Sequence, residues 1–286
     1  MAQARWQTEP QSVTLEPVSS NERGCQQEKS GSGNNSVSMN QPNTSFFSQN
    51  IIPARQRLIV ALDVPSFDEA VKIVERLDDS VVFYKIGLEL LMSGDYFRLA
   101  EWLTKKDKLI FADTKMFDIA ETIRSAMKQL KKWKIEFVSV HFVNEEALKA
   151  AVEEKNGTKV LAVTVLTSLN QADMDAQGFN LPIEEIVFGR AKKAIELGCD
   201  GVISSGMEAH QLRNRLDGKF LIVTPGIRPG SNSTVPMDDQ KRIVTAEGAF
   251  KNGADYIVVG RPILKAPDQR AAAEEHQAII AKLFPY

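Results

Sequence analysis

Short apolar runs rich in Val and Ile recur along the chain from residue 57 onward, and polar segments separate them. The eight runs are LIVALDV (58–64), VVFYKIGL (81–88), KLIFADT (108–114), FVSVHFV (137–143), KVLAVTVLT (159–167), GVISS (201–205), FLIVTPG (220–226) and YIVVGRP (256–262). Because apolar residues occupy consecutive positions, both faces of each run should be buried. The pattern predicts eight strands of a parallel sheet that is covered on both faces.

The segments between these runs are amphipathic and predict helices. Four of them are SFDEAVKIVERL (66–77), AETIRSAMKQLKKW (120–133), NEEALKAAVEEK (144–155) and IEEIVFGRAKKAIEL (183–197). Strands that alternate with helices predict an α/β fold, here a single closed (β/α)8 barrel. The alternative is an open doubly wound sheet, which would carry a GxGxxG turn after its first strand. The segment LDVPSF at that place has no glycine, and the barrel is therefore favoured.

Residues 1–50 differ in composition from the rest of the chain. Ser, Asn and Gln make up 22 of these 50 residues, and the segment has neither a helical nor a strand period. Such a segment buries too little apolar surface to offset the entropy lost on ordering, so we expect a disordered N-terminal tail. Residues 51–286 then form the barrel domain, whose length is close to the ~250 residues typical of such a barrel.

Composition and charge exclude several classes of function. Lys and Arg number 35 against 37 for Asp and Glu, and a net charge of −2 argues against nucleic-acid and anionic-membrane partners. No apolar run is long enough to span a bilayer, and the first residues lack the apolar core of a secretory signal. The two cysteines, Cys25 and Cys199, lie far apart without a CxxC motif. We therefore expect a cytoplasmic protein without a disulfide framework or a zinc site.

Charged residues stand at the carboxyl ends of the first three predicted strands. They are Asp63, Lys85, Asp113 and Lys115, and Asp118 follows in the next loop to give a D-x-K-x-x-D motif. Active sites of (β/α)8 barrels form at these strand ends, so the side chains should meet at one mouth. Asp113 and Lys115 are two positions apart on one strand, which should turn both toward that mouth. Buried charges are costly unless paired, and this cluster of alternating sign predicts a catalytic site more than a structural ion-pair cluster.

The segments after the seventh and eighth strands have the features of a phosphate site. They are VTPGIRPGSNSTVPMDDQ (223–240) and VVGRPIL (258–264). Many barrels of this kind bind phosphate with these two loops and a following helix N-terminus. Gly260 would let the backbone approach an anion closely, and the guanidinium of Arg261 suits its oxygens. Residues 226–238 are rich in Gly, Pro, Ser and Asn and predict a mobile lid.

Seven motifs in order from residue 58 to 264 resemble those of the orotidine 5′-phosphate decarboxylase family. They are LIVALDVP, YKIGLEL, FADTKMFDI, VTVLTS, VTPGIRP, DDQ…R and VVGRPI. The D-x-K-x-x-D motif alone has limited specificity, and the weight of the resemblance lies in its combination with the other motifs. The resemblance covers essentially the whole barrel. It implies cofactor-free decarboxylation of orotidine 5′-phosphate to UMP and CO2 in pyrimidine biosynthesis, by a homodimer with shared active sites.

The resemblance also implies roles for individual residues. Lys115 would deliver a proton to the pyrimidine carbon that loses CO2, and Asp113 would lie beside the substrate carboxylate. Asp118 would reach into the site of the neighbouring subunit. The implied substrate-binding residues are Asp63 and Lys85 at the ribose, Thr167 or Ser168 at the pyrimidine, and Arg228, Gln240, Gly260 and Arg261 at the phosphate and lid. Asp113 and Thr122 are also implied to bind the substrate.

Two segments depart from the family pattern. DIAET (118–122) stands where the family usually has DIPNT, although Thr122 is kept, and VHFVN (140–144) replaces a small, glycine-rich turn. Neither departure changes a charged position of the predicted site. They bear on the contact with the second subunit and on the wall of the site near His141.

Two other functions remain open from the sequence. The first is a Mg²⁺-dependent sugar-phosphate aldolase or decarboxylase of the same barrel superfamily. That resemblance would want an acidic residue in place of Lys85, whose ammonium repels a divalent ion. The second is a non-catalytic phosphate-binding barrel, in which a costly Lys–Asp–Lys–Asp set would have no use.

Overall fold

The computed structural model describes residues 51–228 and 242–285, and these residues form a closed parallel barrel. Neighbouring strands pair in chain order, and β8 pairs with β1 to close the barrel. The strands are β1 (Leu58–Ala61), β2 (Phe83–Ile86), β3 (Leu109–Met116), β4 (Phe137–His141), β5 (Lys159–Val163), β6 (Gly201–Ile203), β7 (Leu221–Thr224) and β8 (Tyr256–Val259). The predicted (β/α)8 barrel is confirmed. The predicted tail (1–50), most of the predicted lid, and Gln240 lie outside the described residues.

Each of the eight predicted runs coincides with one strand. Seven strands end earlier than their apolar run does, whereas β3 continues past its run to Met116. The run over 159–167, for example, gives a strand that ends at Val163. The residues beyond it stay apolar because they are buried under the loops of the barrel mouth, as Val165 is at 3 % exposure. The apolar runs in the sequence therefore locate the strands, but most runs continue past the strand end into a loop at the barrel mouth.

One or two helices follow each strand and cover the outside of the barrel. The helices are α1 (Phe67–Leu77), α2 (Leu88–Ser93), α3 (Tyr96–Lys105), α4 (Ala120–Leu130), α5 (Glu145–Glu153), α6 (Gln171–Ala176), α7 (Ile183–Glu196), α8 (Ala209–Arg215), α9 (Ala246–Lys251), α10 (Arg261–Leu264) and α11 (Gln269–Leu283). Several begin at a side-chain cap. Ser66, for example, accepts a hydrogen bond from the N–H of Glu69 at 3.3 Å. Within the described part of the chain, no helix is long and apolar enough to cross a membrane.

The apolar residues form two layers, because successive strand residues point to opposite faces of the sheet. Leu58 packs outward against the helices, whereas Ile59 points into the barrel. Aromatic rings fill the interior, where the Phe137 ring lies 5.0 Å from that of Phe83 and 5.1 Å from that of Tyr256. The interior is thus a packed core that supports the polar groups at the mouth.

Candidate active site

A cavity of about 600 Å³ opens at the carboxyl ends of the strands. Its volume is within the range of sites that hold small organic ligands. Apolar side chains from inside the barrel, among them Phe111 and Val258, contribute to its lining. Nine of the predicted site residues line it, namely Asp63, Lys85, Asp113, Lys115, Thr167, Ser168, Arg228, Gly260 and Arg261.

Four of these side chains form a continuous row of ion pairs across the first three strands. Lys85 Nζ lies 2.8 Å from Asp63 Oδ1 and 3.3 Å from Asp113 Oδ2. Lys115 Nζ lies 2.6 Å from the same Asp113 Oδ2. The order Asp63–Lys85–Asp113–Lys115 alternates in sign, so each inner charge has an opposite charge on both sides. The inner two are buried, whereas the Asp63 side chain is 55 % exposed.

The ion pairs shift the pKa values of the two buried members in the direction that keeps both charged. Burial alone would lower the pKa of Lys85, but the carboxylates of Asp113 and Asp63 favour the ammonium more strongly and raise the pKa. Burial alone would raise the pKa of Asp113, but Lys85 and Lys115 outweigh it and lower the pKa. Both groups are therefore ionised at neutral pH.

An irregularity in β3 brings Lys115 onto Asp113. The pairing of β3 with β4 shifts register between Ala112 and Met116, and Lys115 has a φ of 45°. That left-handed conformation is uncommon for a residue with a side chain and is concentrated at functional sites. Strand alternation alone predicts that both side chains face the mouth, but it does not predict the ion pair between them. The bulge in the β3 backbone accounts for that ion pair.

The residue that follows β2 leaves space for the Lys85 ammonium. A Cβ atom on Gly87 would lie 3.2 Å from Lys85 Nζ and 3.5 Å from Asp63 Oδ1. The first distance is shorter than most contacts of real Cβ atoms, so a side chain here would push on this ion pair. Glycine at position 87 therefore protects the geometry of the row.

Asp118 and Thr122 are predicted site residues that do not line the cavity. Both are exposed, and Asp118 Oδ1 accepts a hydrogen bond from the N–H of Ile119 at 2.7 Å. Within the described part of the chain, Asp118 forms no ion pair with the row.

His141 ends β4 beside the Phe117 ring. Burial and the positive charges of Lys115 and Arg190 lower its pKa, so the ring is neutral at pH 7.

The other predicted binding residues lie on the segments after β5, β7 and β8. Thr167 and Ser168 both line the cavity, as do Arg228 and Arg261. Gly260 lies between β8 and the short helix α10, and a Cβ there would make only ordinary contacts, 3.5 Å or more from its neighbours. The space around position 260 alone therefore does not require glycine.

Sequence reasoning missed two polar groups that support the site. Ser139 is fully buried in β4 and donates a hydrogen bond to Asp113 Oδ1 at 2.9 Å. The only sequence signal for it is a serine inside the otherwise apolar FVSVH segment. Arg242 ends the DDQ…R motif and forms a buried ion pair with Glu208. No spacing in the sequence indicates that these last two residues meet.

Arg242 also connects the loops of the barrel mouth. Its Nη2 donates to the carbonyl oxygens of Val165 and Leu166, both at 3.0 Å, and its N–H donates to the Thr167 carbonyl at 3.2 Å. The Ser205 hydroxyl donates to the Arg242 carbonyl at 3.3 Å. The end of the β7–α9 segment is thereby joined to the loop that carries Thr167 and to the loop after β6.

Comparisons with known proteins agree with the architecture. Residues 56–276 match the family described as "Orotidine 5'-phosphate decarboxylase / HUMPS family". The chain is 51 % identical over 240 residues to the orotidine 5′-phosphate decarboxylase of Methylococcus capsulatus, covering 84 % of this chain and 98 % of the relative. It is 48 % identical over 230 residues to that of Xanthomonas oryzae pv. oryzae, covering 80 % and 93 %.

A solved structure gives the same result. The crystal structure of orotidine 5′-phosphate decarboxylase from Lactobacillus acidophilus superposes with a TM-score of 0.68 at 35 % sequence identity. The match covers 79 % of this chain and 99 % of that one. Barrel, motifs and relatives agree, and the chain belongs to the orotidine 5′-phosphate decarboxylase / HUMPS family.

Proposed function

We propose that this chain decarboxylates orotidine 5′-phosphate to UMP and CO2 in pyrimidine biosynthesis, without a cofactor. The observation that carries the proposal is the row Asp63–Lys85–Asp113–Lys115 along one side of a nucleotide-sized cavity. The relatives that match over most of the chain carry the same activity in their names.

In the proposed reaction, Lys115 is the proton donor. The bond between the pyrimidine ring and its carboxylate breaks, CO2 leaves, and the electron pair stays on the ring carbon. A proton from the Lys115 ammonium then forms the new C–H bond of UMP, and solvent returns a proton to the amine. The side chain of Lys115 is 34 % exposed, which leaves it accessible to both substrate and solvent.

The energy that this chemistry requires exceeds what one lysine provides. A charge contact at ~4 Å with an effective dielectric near 20 contributes about 4 kcal/mol. Enzymes with large rate enhancements lower the barrier by up to about 23 kcal/mol. Binding energy from the remote phosphate, held by Arg228, Gly260 and Arg261, is the natural additional source. Gln240 would join this set.

Asp113 is suited to orienting the two lysines. Its Oδ2 accepts from both Lys85 and Lys115, so one oxygen sets the position of both ammonium groups. The same carboxylate would lie beside that of the substrate and raise the energy of the bound ground state. Because the groups of the row are coupled, their protonation belongs to the network as a whole.

The alternative functions are less compatible with the row. A Mg²⁺-dependent enzyme would use the carboxylates of Asp63 and Asp113 as metal ligands. Here the Lys85 ammonium lies between those carboxylates, in contact with both. A non-catalytic phosphate-binding barrel would need only cations such as Arg228 and Arg261. The buried Lys–Asp pairs would cost desolvation free energy and would contribute nothing to phosphate binding.

We also propose a homodimer whose subunits share their active sites. Large apolar side chains are exposed on the segments that follow β2, β3 and β4, as a contact surface would require. They are Leu88, Met92, Phe117, Ile119 and Val143. Asp118 stands between Phe117 and Ile119, is exposed and does not line the cavity of its own row, so a second copy of the chain could receive it. Thr122, on the next helix, would belong to the same contact.

The cytoplasm is the proposed location. Cys199 is a buried free thiol in the described part of the chain, and burial raises its pKa to about 12. A thiol of this kind is inert and is compatible with a reducing compartment.

The experiment that tests the proposed function is a turnover assay with orotidine 5′-phosphate. UMP and CO2 are measured with and without a strong metal chelator. We expect equal turnover in both conditions. Loss of turnover on chelation would support the metal-dependent alternative, whereas nucleotide binding without any turnover would support the non-catalytic one.

A further inference from the structure

The hydroxyl of Ser139 contacts both functional residues of β3. It donates to Asp113 Oδ1 at 2.9 Å and accepts from the backbone N–H of Lys115 at 2.8 Å. Ser139 is fully buried and does not line the cavity. Any effect that it has on a bound substrate must therefore pass through Asp113 and Lys115.

The register of the sheet explains why a hydroxyl is needed at this place. Ala112 pairs with Val138 and Met116 pairs with Val140, so three residues of β3 lie opposite Ser139 alone. Such a bulge removes backbone groups from the regular ladder. The Ser139 oxygen gives the partly buried Lys115 N–H the partner that a ladder carbonyl would otherwise provide.

The two carboxylate oxygens of Asp113 have different partners. Oδ2 accepts from the ammonium groups of Lys85 and Lys115, and Oδ1 accepts from Ser139. The Ser139 hydrogen bond therefore fixes the rotation of the carboxylate plane, which decides where Oδ2 holds the Lys115 ammonium. The second bond supports the left-handed backbone of Lys115, from which that side chain starts.

We infer that Ser139 is a positioning residue for the proposed decarboxylation, and this inference rests on that proposed function. Its hydroxyl locks the β3 bulge and orients Asp113, so that the Lys115 ammonium is held where the ring carbon would receive its proton. Without the hydroxyl, the chemical step should slow while nucleotide binding stays nearly the same, since the hydrogen bonds of this hydroxyl among the described residues go to Asp113 and Lys115, whereas Arg228, Gly260 and Arg261 would hold the phosphate.

The test compares variants that lack or keep the hydroxyl. Ser139→Ala and Ser139→Cys remove it, and Ser139→Thr keeps it. Ser204→Ala is the matched control, because Ser204 is also a buried serine near a strand end, its hydroxyl has no hydrogen-bond partner among the described residues, and it does not line the cavity. The measurements are the single-turnover rate of CO2 release from orotidine 5′-phosphate, the Kd of UMP and the thermal midpoint.

We expect the single-turnover rate of Ser139→Ala and Ser139→Cys to fall about 10- to 100-fold, as loss of a hydrogen bond to a charged group predicts. The Kd of UMP should change less than threefold, and Ser139→Thr and Ser204→Ala should stay within threefold of the parent. A rate within threefold of the parent in Ser139→Cys or Ser139→Ala overturns the inference. Equal losses of rate and UMP affinity also overturn it, because they indicate a structural role. If the parent enzyme itself releases no CO2, the failure lies in the proposed function.

Discussion

Asp113 and Lys85 stabilise each other in their charged forms. The signs of their pKa shifts determine how their contribution to the free energy of unfolding changes with pH. The pKa of Asp113 is lowered, so its contribution to stability is complete above its unfolded value of about 3.9 and is lost as pH falls through the native pKa. The pKa of Lys85 is raised, so its contribution is complete below about 10.4 and is lost as pH rises through the native pKa.

We therefore predict that this pair contributes a constant amount to the free energy of unfolding between about pH 5 and pH 9. The measurement is denaturant unfolding of the parent and of the double variant Lys85→Met/Asp113→Asn across the pH range. The free energy of unfolding of the parent minus that of the double variant should be constant over that interval. Below about pH 4 this difference should decrease, because the parent loses the contribution of ionised Asp113. A difference that changes steadily between pH 6 and pH 8 would contradict the assignment of both groups as ionised.

At the scale of elements, the pair of Arg242 and Glu208 holds three loops of the mouth together. Breaking a buried ion pair by removing one partner costs about 3–5 kcal/mol. We predict that Glu208→Gln, which keeps the size of the side chain, lowers the free energy of unfolding by about 3 kcal/mol, at the low end because the amide still accepts a hydrogen bond.

The matched control is Glu185→Gln. Glu185 also pairs with an arginine, Arg215, but the two side chains are 43 % and 37 % exposed, far more than those of the buried Arg242–Glu208 pair. Exposed pairs contribute about 0–1 kcal/mol, so this change should cost less than 1 kcal/mol. Equal costs for the two variants would mean that burial of the Arg242 pair has no energetic consequence.

The strands could be predicted from the sequence, whereas their contacts at the mouth could not. A parallel strand covered on both faces needs a continuous apolar run, and a strand forms at each of the eight runs. The charges at strand ends could be predicted because one end of such a barrel carries the site. The β3 bulge could not, because it depends on pairing with β4 and leaves no periodic signal. The role of Ser139 could not be predicted for the same reason, because its contacts with Asp113 and Lys115 depend on this pairing.

At the scale of the whole molecule, the barrel should function without the first fifty residues. The family match begins at residue 56 and the first strand at Leu58. We predict that deletion of residues 1–50 leaves the turnover number and the thermal midpoint nearly unchanged, because no apolar period in that segment suits packing on the barrel. A fall of several degrees in the thermal midpoint would show that the tail stabilises the barrel.

The proposed shared site predicts complementation between inactive subunits. If Asp118 acts in the partner's site, Lys115→Ala and Asp118→Ala should each be nearly inactive alone. A heterodimer of the two then has one site with both lesions and one with neither, as two-fold symmetry requires. Half of the heterodimer's sites should regain parental turnover after mixing. No recovery, with subunit exchange verified by differently tagged chains, would place Asp118 outside the partner's site.

The role of Lys115 as proton donor is tested most directly by measuring CO2 release from orotidine 5′-phosphate by the parent, by Lys115→Ala and by Lys105→Ala. Lys105 is the control, because it is an exposed lysine on α3 that pairs only with Glu101 in the described part of the chain. We predict that Lys115→Ala loses at least about 10³-fold in turnover, because proton donation and charge stabilisation are lost together. It should keep the thermal midpoint and the UMP affinity of the parent, and Lys105→Ala should match the parent throughout. Turnover by Lys115→Ala within tenfold of the parent would contradict the role of Lys115 as proton donor.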